Sequence, residues 1–497
     1  MYAASNAYPQ TSKLLNSNPF PETETIHCSQ GETAILLSNN DLKKLADHRL
    51  DFLLNFGPDQ SDRRLVAIAR HGVWSFSYGD DGSGGSPLDA FWKVVLGSAI
   101  IRISLTQFSS RQQAPAMTLR SGFFAVEPCS YAKTLDRARL ASADFPVLAC
   151  KDLISGRAGE RRLGPSSKEC PNFSVPGNRV MLRLILHAFR RKVLSAYHKL
   201  FTQVEWNTGF IDIAGFDPAQ SQTAVNVRWL PVQRNSIAAD PFILWWQNQL
   251  TLLTENIDRT DNRGFIEAWS VQNGNAMPLG KVIDGPVHLS YPYILEWQGS
   301  VYCIPEQARG HAIVLYRATD FPNKWERVGE VLSGVEAIDP TIFRYDSHWW
   351  LAYTDASFDR HGRLMLWYST ELTGPWKPHA LNPVKIDPRS SRSAGPPLRY
   401  GEHLIRPAQD CSGEYGARVV FNRITELTPE KFHEEVIGEL KPDPNGPYPA
   451  GLHTICRTGD VAVVDGKAYV INAKALLTKY AARRARGRLE ISRVKTQ

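Results

Sequence analysis

The stretch DPFILWWQNQLTLLTE at residues 240–255 has the pattern of an apolar strand, a turn and a second strand. Four further segments repeat that pattern with decreasing fidelity. They are YPYILEWQGSVYCIPE at 291–306, DPTIFRYDSHWWLAYTD at 339–355, GPPLRYGEHLIRPAQD at 395–410, and LHTIC at 452–456 followed by DGKAYVIN at 465–472. Short apolar runs on either side of a tight turn are typical of β-hairpins, so the sequence predicts five of them.

The spacing of the five copies predicts how the hairpins assemble. A repeat of about 50 residues with strand-and-turn texture throughout is typical of propeller blades of four strands each. The sequence therefore predicts an all-β five-bladed propeller over residues 206–477. The residue that opens each first strand is expected near the central axis, which places Asp240, Tyr291, Asp339 and Gly395 around one mouth.

Two of these ring positions are aspartates, each followed by proline. Carboxylates that converge on one cavity drive their pKa values apart, which is the usual arrangement for acid–base chemistry. Such carboxylates also repel one another, so replacing Asp240 or Asp339 by Asn is expected to leave stability unchanged or to raise it. In the alternative interpretation, Asp-Pro only caps the entry to a strand.

Composition favours a soluble multidomain protein. The chain has 497 residues with 43% hydrophobic and 22% charged side chains, and its formal net charge is +7. Two or three domains are expected at this length. The seven scattered cysteines include no Cys-x-x-Cys pair, and no basic stretch followed by an apolar stretch opens the chain. These features favour a reducing, cytoplasmic compartment and predict neither a metal site nor a cofactor.

The chain outside the repeats is divided into four parts. Residues 1–30 are expected to be a flexible arm, and residues 31–153 an α/β domain. Residues 154–205 are expected to hold a linker and an amphipathic helix over 178–201, whose apolar side should pack against the domains. A basic tail is expected at 478–497.

The segments GVWSFSYG at 72–79, GGSP at 84–87, FWK at 91–93 and LRSG at 119–122 resemble the formyltransferase domain that uses a formyl-folate donor. The resemblance implies catalytic Asn, His and Asp residues, whose positions hold Ser75, Ser77 and Arg120 here. A serine cannot replace a histidine as a proton shuttle near neutral pH. This domain is therefore expected to be an incomplete, inactive scaffold, and formyl transfer is disfavoured.

Five blades with Asp-Pro in blades one and three resemble the family-43 glycoside hydrolases. The resemblance implies that Asp240 is a general base and that Asp339 orients the site and adjusts pKa. The glutamate that the family uses as proton donor has no counterpart here, since Ser393 or Ala394 stands in its place. This difference puts ordinary inverting hydrolysis in doubt and leaves Glu306 and Asp410 as candidate donors.

A second resemblance covers most of the repeats. The segments HLSYPY at 288–293, CIPE at 303–306, IDPT at 338–341, GPWKPH at 374–379 and RPAQDCSGEYG at 406–416 resemble the N-terminal region of plant glucosamine inositolphosphorylceramide transferases. In the plant proteins that region accompanies a separate glycosyltransferase domain. The resemblance implies a role in glycan or glycolipid metabolism.

These considerations define the candidate site. The catalytic candidates are Asp240, Asp339, Glu306 and Asp410. The candidates for substrate binding are Tyr291, His288, Arg392, Arg406, Glu414 and His453. The expected ligand is a carbohydrate or glycolipid, with no nucleic acid and no membrane span. Two functions stay open: a carbohydrate-active enzyme, either hydrolase or transferase, and a non-catalytic glycan-binding or scaffolding protein.

Overall fold

The structure is a computed structural model that describes residues 37–56, 63–79, 87–108, 117–157, 175–212, 216–231, 237–258, 263–272 and 274–471. The expected arm, the basic tail and the linker between residues 158 and 174 lie outside these ranges. The chain folds into two compact units. The first is Met1–Gly122 with Val126–Ala188, and the second is Phe123–Ala125 with Phe189–Gln497.

The first unit combines a small sheet with short helices, in keeping with the α/β texture of its sequence. Its strands, in sheet order, are β1 Leu53–Asn55, β2 Val73–Tyr78, β3 Ile100–Phe108 and β4 Met117–Ala125. Its helices are α1 Asn39–Asp47, α2 Pro87–Val95, α3 Tyr131–Ala141 and α4 Phe145–Ile154. Strand β1 runs parallel to β2, whereas β3 runs antiparallel to β2.

The three positions that replace the formyltransferase catalytic residues are buried in this unit. Ser75 and Ser77 lie on β2, and Arg120 lies on β4. The Arg120 guanidinium is 2.6 Å from the Asp152 carboxylate, and both side chains are almost fully buried. Removing one partner of such a pair leaves a buried charge uncompensated, so Arg120 has a structural role. The formyltransferase resemblance itself stays a prediction.

The predicted helix is present as α5, Asn178–Phe201, and its bounds are those expected from the sequence. Ile185, Phe189 and Val193 on its apolar side are all more than half exposed, so the described residues do not show the expected packing. Within the described residues, no helix is both long enough and apolar enough to cross a membrane.

The second unit is built of β-strands. Three strands come before the repeats: β5 Thr202–Ile211, β6 Ser221–Ala224 and β7 Arg228–Trp229. The first two repeats supply β8 Ala239–Trp246, β9 Gln249–Asp258, β10 Arg263–Gln272, β11 Asn275–Ile283, β12 Ser290–Trp297, β13 Ser300–Glu306, β14 Ala312–Asp320 and β15 Lys324–Ser333.

The remaining repeats complete the unit. The third supplies β16 Ala337–Tyr345, β17 His348–Asp355, β18 Arg363–Ser369, β19 Lys377–Pro378 and β20 Lys385–Ile386. The fourth and fifth supply β21 Leu398–Tyr400, β22 His403–Asp410, β23 Arg418–Leu427, β24 Phe432–Pro442, β25 Ile455–Thr458 and β26 Val461–Ile471.

These strands form five successive sheets, here called sheets one to five. Sheet one contains β8–β11, sheet two β12–β15, and sheet three β16–β20. Sheet four contains β21–β24 with β6 on its edge. Sheet five joins β25 and β26 to β5 and β7, so the two ends of the unit meet in one sheet.

All five predicted hairpins are present. The fifth differs in detail from its prediction. Its second strand begins at Val461, so Asp465 lies inside β26 and not at the start of that strand. The central strands are apolar, and the ring of Phe242 packs edge-on against Tyr291 with 4.8 Å between centroids. This apolar core fixes the positions of the polar residues that interrupt it.

Candidate functional site

The first strands of sheets one, two and three share an unusual backbone feature at the same position. Asp240, Tyr291 and Asp339 have φ values of +49°, +44° and +50°, and each is followed by proline. The pairing register of each strand shifts at this position. Proline donates no backbone hydrogen bond and is therefore tolerated at a bulge, and a bulge can re-aim a side chain. The Asp-Pro and Tyr-Pro motifs thus mark bulges.

This conformation is energetically unfavourable. Residues other than glycine seldom adopt a positive φ, and each instance costs on the order of 1–3 kcal/mol. Such residues cluster at functional sites, where the surrounding structure holds them in place. In sheet four the matching position is Gly395, with φ +128°. Its Cβ, if present, would lie 1.9 Å from the carbonyl oxygen of Ile455, so only glycine fits.

Tyr291 contacts two of the other three residues directly, Asp240 and Gly395, and it also reaches the strand that carries Asp339. The backbone N–H of Tyr291 donates to Asp240 Oδ2 at 3.1 Å. The Tyr291 hydroxyl accepts from the N–H of Gly395 at 2.8 Å and lies 3.0 Å from Thr341 Oγ1. Tyr291 therefore ties sheet two to sheets one, three and four at the centre of the unit.

On one side of Tyr291, Asp240 faces a histidine held by a second aspartate. The Nε2 atom of His453 is 3.6 Å from Asp240 Oδ1, and its Nδ1 atom is paired with Asp465 Oδ2. The hydroxyl of Thr454 donates to Asp240 Oδ1 at 3.0 Å. Backbone N–H groups of His453 and Thr454 both donate to Asp465 Oδ1 and fix its orientation.

Burial controls the protonation of this group. Burial raises the pKa of Asp240 to about 7, against the opposing charge of His453. Burial lowers the pKa of His453, but Asp465 and Asp240 outweigh it and raise that pKa above its usual value. Asp240 is only 5% exposed, and carboxyl groups with a pKa near neutrality exchange protons readily at neutral pH. The Asp240–His453–Asp465 group can therefore accept or release a proton.

Among the described residues, these three form the group that could hold a metal ion, since their ligand atoms lie within 4.8 Å of one another. The internal hydrogen bonds give a simpler account of the cluster. A protonated His453 donates from Nδ1 to Asp465 and presents Nε2 to Asp240, which leaves no lone pair on the ring for a metal.

On the other side of Tyr291, Asp339 is paired with arginine. Arg392 Nε donates to Asp339 Oδ2 at 2.6 Å, and Arg392 Nη2 donates to Oδ1 at 3.4 Å. The amide of Gln409 donates to Oδ2 at 2.7 Å. Both ionic side chains are almost fully buried. Burial would lower the pKa of Arg392, but Asp339, Tyr415 and Glu306 raise it well above its usual value.

Glu306 lies beside this ion pair. Its Oε2 atom accepts a hydrogen bond from the backbone N–H of Asp339 at 3.1 Å. Burial raises the pKa of Glu306 well above its usual value, the charge of Asp339 adds to the rise, and Arg392 opposes it. Glu306 therefore holds its proton more tightly than an ordinary glutamate does, which is the property a general acid needs.

Half-buried rings line the group where it meets solvent. The indole of Trp206 stacks on His453 with 4.0 Å between centroids, and Tyr415 meets the same imidazole edge-on at 5.1 Å. The Arg392 guanidinium lies over the Tyr415 ring at 4.7 Å. His361 Nδ1 is 3.3 Å from Arg392 Nη1. Aromatic faces beside carboxylates suit a ring-shaped, hydroxyl-rich ligand.

Two carboxylates predicted from the sequence have other partners. Asp410 accepts from Ser412 Oγ at 2.6 Å and pairs with Arg418 at 2.8 Å. Glu414 accepts from Lys467 at 2.8 Å and is half exposed. No contact found among the described residues joins either of them to Asp240 or Asp339. The predicted roles of Asp410 in catalysis and of Glu414 in substrate binding therefore gain no support from their contacts.

Two predicted cationic residues also have other partners. Arg406 is buried in an ion pair with Glu434 at 2.6 Å. Despite the effect of burial, Arg406 and Lys385 lower the pKa of Glu434 to about 2. His288 accepts from the N–H of Gly264 at 2.8 Å and faces Glu255 at 3.0 Å. Both residues therefore hold the sheets in place and are poorly arranged to bind a substrate.

The sequence analysis missed residues that the structure brings into the site, chiefly Gln409, Thr454, Asp465, Tyr415 and Trp206. A signal for Gln409 was present in the segment RPAQD at 406–410. Successive side chains of a strand point to opposite faces, so choosing Asp410 as the inward residue excluded its neighbour Gln409. The candidate donor Glu306 lies on β13 of sheet two, whereas Ala394, at the position of the family-43 glutamate, precedes β21 and is fully buried.

Comparison with known proteins agrees with the second resemblance drawn from the sequence. Residues 225–444 match the protein family described as glucosamine inositolphosphorylceramide transferase 1, N-terminal. The rice (Oryza sativa subsp. japonica) protein named glucosamine inositolphosphorylceramide transferase 1 is 35% identical over 209 residues. That alignment covers 40% of this chain and 28% of the rice protein, so the chain spans little more than a quarter of this relative.

Solved glycoside hydrolases are similar at lower levels. A family 117 enzyme of the marine bacterium Zobellia galactanivorans is 14% identical over 54% of this chain and 91% of its own, with a TM-score of 0.36. A thermostable family-43 glycoside hydrolase is 12% identical over 44% of this chain and 77% of its own, with a TM-score of 0.31. At these TM-scores the likeness carries no functional inference. Between residues 225 and 444, the chain is similar to the N-terminal region of the glucosamine inositolphosphorylceramide transferases.

Proposed function

We propose that the second unit is a five-bladed β-propeller that acts on the carbohydrate part of a glycan or glycolipid. The number and order of its sheets support the propeller. Contacts between the first and fifth sheets support a closed ring, since the N–H groups of Asp240 and Ile243 donate to Asp465 and Cys456. The family match, whose name refers to glucosamine and inositolphosphorylceramide, supports the class of ligand.

One observation carries the proposed chemistry. The carboxyl groups of Asp240 and Glu306 both have a raised pKa. Asp240 accepts from the N–H of Tyr291, and Glu306 accepts from the N–H of Asp339, whose carboxylate pairs with Arg392. In the proposed reaction, Glu306 gives its proton to the leaving oxygen as the glycosidic bond breaks. Asp240 takes the proton from the attacking group. A water molecule as attacking group would give hydrolysis, and a sugar hydroxyl would give transfer.

A second candidate function rests on the burial of the site. Asp339 is only 1% exposed, and its two oxygens are occupied by Arg392 and Gln409. A fully satisfied ion pair is also what a rigid binding protein needs to present a fixed surface. In this alternative, the rings of Trp206 and Tyr415 bind a sugar without changing it.

Turnover of a substrate panel separates the two functions. The panel contains oligosaccharides, glucosamine-bearing glycans and inositolphosphorylceramide-type glycolipids, each with water or an added sugar as acceptor, and products are read by mass spectrometry. Glu306→Gln and Asp240→Asn are each expected to lower turnover by roughly a hundred- to ten-thousand-fold while the fold is retained.

Matched controls make this loss specific. Asp346 has the same left-handed backbone as Asp240, with φ +51°, but lies at an exposed hairpin turn. Glu402 lies at the exposed turn of sheet four. Asp346→Asn and Glu402→Gln should therefore keep full turnover. Sugar binding by the parent protein that is retained in Glu306→Gln, with no product from any substrate, would support the binding protein instead.

A further inference from the structure

Helix α5 has an unusual charge composition. Its 24 residues include six that are arginine or lysine and none that is acidic. The six are Arg179, Arg183, Arg190, Arg191, Lys192 and Lys199. No ion pair found among the described residues involves the five whose side chains are described. Within the part of the chain that the structure describes, these five positive charges therefore have no acidic partner.

The apolar side chains of the helix are exposed in an ordered way. Eight of them are between 44% and 68% exposed, and all but Leu194 form what is here called the apolar stripe: Leu182, Ile185, Leu186, Phe189, Val193, Tyr197 and Leu200. At 3.6 residues per turn these positions span an arc of about 120°. Contiguous apolar surface of this kind is rare on soluble proteins and marks an interaction site.

The basic residues lie next to the stripe. At the same helical spacing, Arg179, Arg190 and Arg183 project along its edge, and Arg191 projects from the opposite side of the helix. All four side chains are exposed. The helix thus has an apolar strip beside a cationic strip. Long basic side chains beside an apolar strip can extend their charges toward a polar boundary while their methylene groups stay with the apolar surface.

We infer that the apolar stripe binds the surface of an anionic lipid bilayer, with the helix lying in the plane of the interface. A strongly basic face with Leu, Phe and Ile on the neighbouring face is the pattern of interfacial helices. Charge complementarity selects this partner over a second copy of the chain. Two such helices packed together would bring twelve like charges into proximity, whereas anionic headgroups neutralise them. This inference does not depend on the proposed glycan chemistry.

Sedimentation with vesicles tests the inference on the full-length protein. Vesicles of phosphatidylcholine alone are compared with vesicles in which about a third of the lipid is phosphatidylserine. The full chain should bind the anionic vesicles at least tenfold more tightly, and raised salt should weaken that binding because surface electrostatics are screened. Equal binding to both kinds of vesicle, or to neither, would overturn the inference.

Substitutions locate the binding surface. Ile185→Ser with Phe189→Ser should lower the fraction bound at least tenfold, and so should Arg190→Gln with Arg191→Gln. Met277 and Val436 are exposed apolar residues of the strands, at 70% and 60%, so Met277→Ser with Val436→Ser is the matched control and should bind as the parent does. Because all of these side chains are exposed, the circular dichroism melts should not change.

Further experiments test whether the apolar stripe itself binds the membrane. A Phe189→Trp variant should show a blue-shifted emission component on anionic vesicles that is absent from the parent. A chain ending at residue 477, which lacks the basic tail, should still bind. Loss of binding in that chain alone would assign the membrane contact to the tail and overturn the inference. A dimer in analytical ultracentrifugation that the Ile185→Ser, Phe189→Ser variant dissociates would assign the stripe to a second copy and also overturn it.

Discussion

Asp240 and Asp339 have the same local structure but opposite electrostatic surroundings. Both are followed by proline, both sit at a strand bulge, and their φ values differ by only 1°. Asp240 faces His453, which is itself held by Asp465, and its pKa is raised to about 7. Asp339 is instead paired with Arg392 and Gln409. Local sequence therefore sets the backbone of these residues, while residues from other sheets set their chemistry.

The largest expected effect follows from the arginine. From the sequence alone, Asp339→Asn was expected to be neutral or stabilising, since clustered carboxylates repel. The structure reverses this expectation, because the substitution leaves the buried charge of Arg392 uncompensated. We expect a loss of roughly 3–5 kcal/mol in the free energy of unfolding, measured by urea denaturation. Asp346→Asn should change it by less than about 0.5 kcal/mol. Equal stability of the two variants would show that the ion pair contributes nothing.

A smaller effect is expected at the residue between the two aspartates. Tyr291→Phe removes the hydroxyl that accepts from Gly395 N–H, and leaves that buried donor without its partner. The expected loss is about 1–3 kcal/mol. The exposed Tyr197 offers a matched Tyr→Phe control that should be neutral. A neutral Tyr291→Phe would mean that sheets two and four are joined by other contacts.

The third effect depends on pH. The pKa of the Asp240 carboxyl group is raised in the folded protein. The protonated group therefore stabilises the fold below the pKa that Asp has in the unfolded chain, and this stabilisation is lost as pH rises through about 7. Asp240→Asn removes this loss. The melting temperature of the variant minus that of the parent should therefore increase by about a few degrees from pH 4 to pH 8. A difference that is constant across this range would contradict a raised pKa.

The smallest effect on stability is expected at Glu306. Because its pKa is raised, its carboxyl group resembles the neutral amide that would replace it more closely than an ordinary glutamate does. Glu306→Gln should shift the melting temperature by less than about 2 °C at pH 7 while turnover falls as proposed. A large loss of stability would show that Glu306 is ionised in the folded protein.

The sequence repeats predicted the hairpins and the ring residues, and the helical spacing of apolar residues predicted helix α5. Both signals are local properties of the chain. They did not single out Gln409, which reaches Asp339, whereas the predicted Asp410 next to it pairs with Arg418. They also failed at Asp465, because the sequence did not show where β26 begins. Contacts among residues of different sheets depend on bulges and twist, which single-residue patterns do not encode. The apolar stripe illustrates the same point: helical spacing predicts an apolar face but not whether the protein covers it.

The most direct test of the account is the titration of the carboxyl carbons by ¹³C NMR in protein labelled at Asp and Glu side chains. Signals assigned through Asp240→Asn and Glu306→Gln should show Asp240 titrating near pH 7 and Glu306 titrating well above the range of free glutamates. An unfolded sample in urea supplies the reference titration of free carboxyl groups. If Asp240 and Glu306 both titrated as they do in that sample, at about pH 4, the two carboxyl groups would be ordinary acids, and the proposed acid–base site would be wrong.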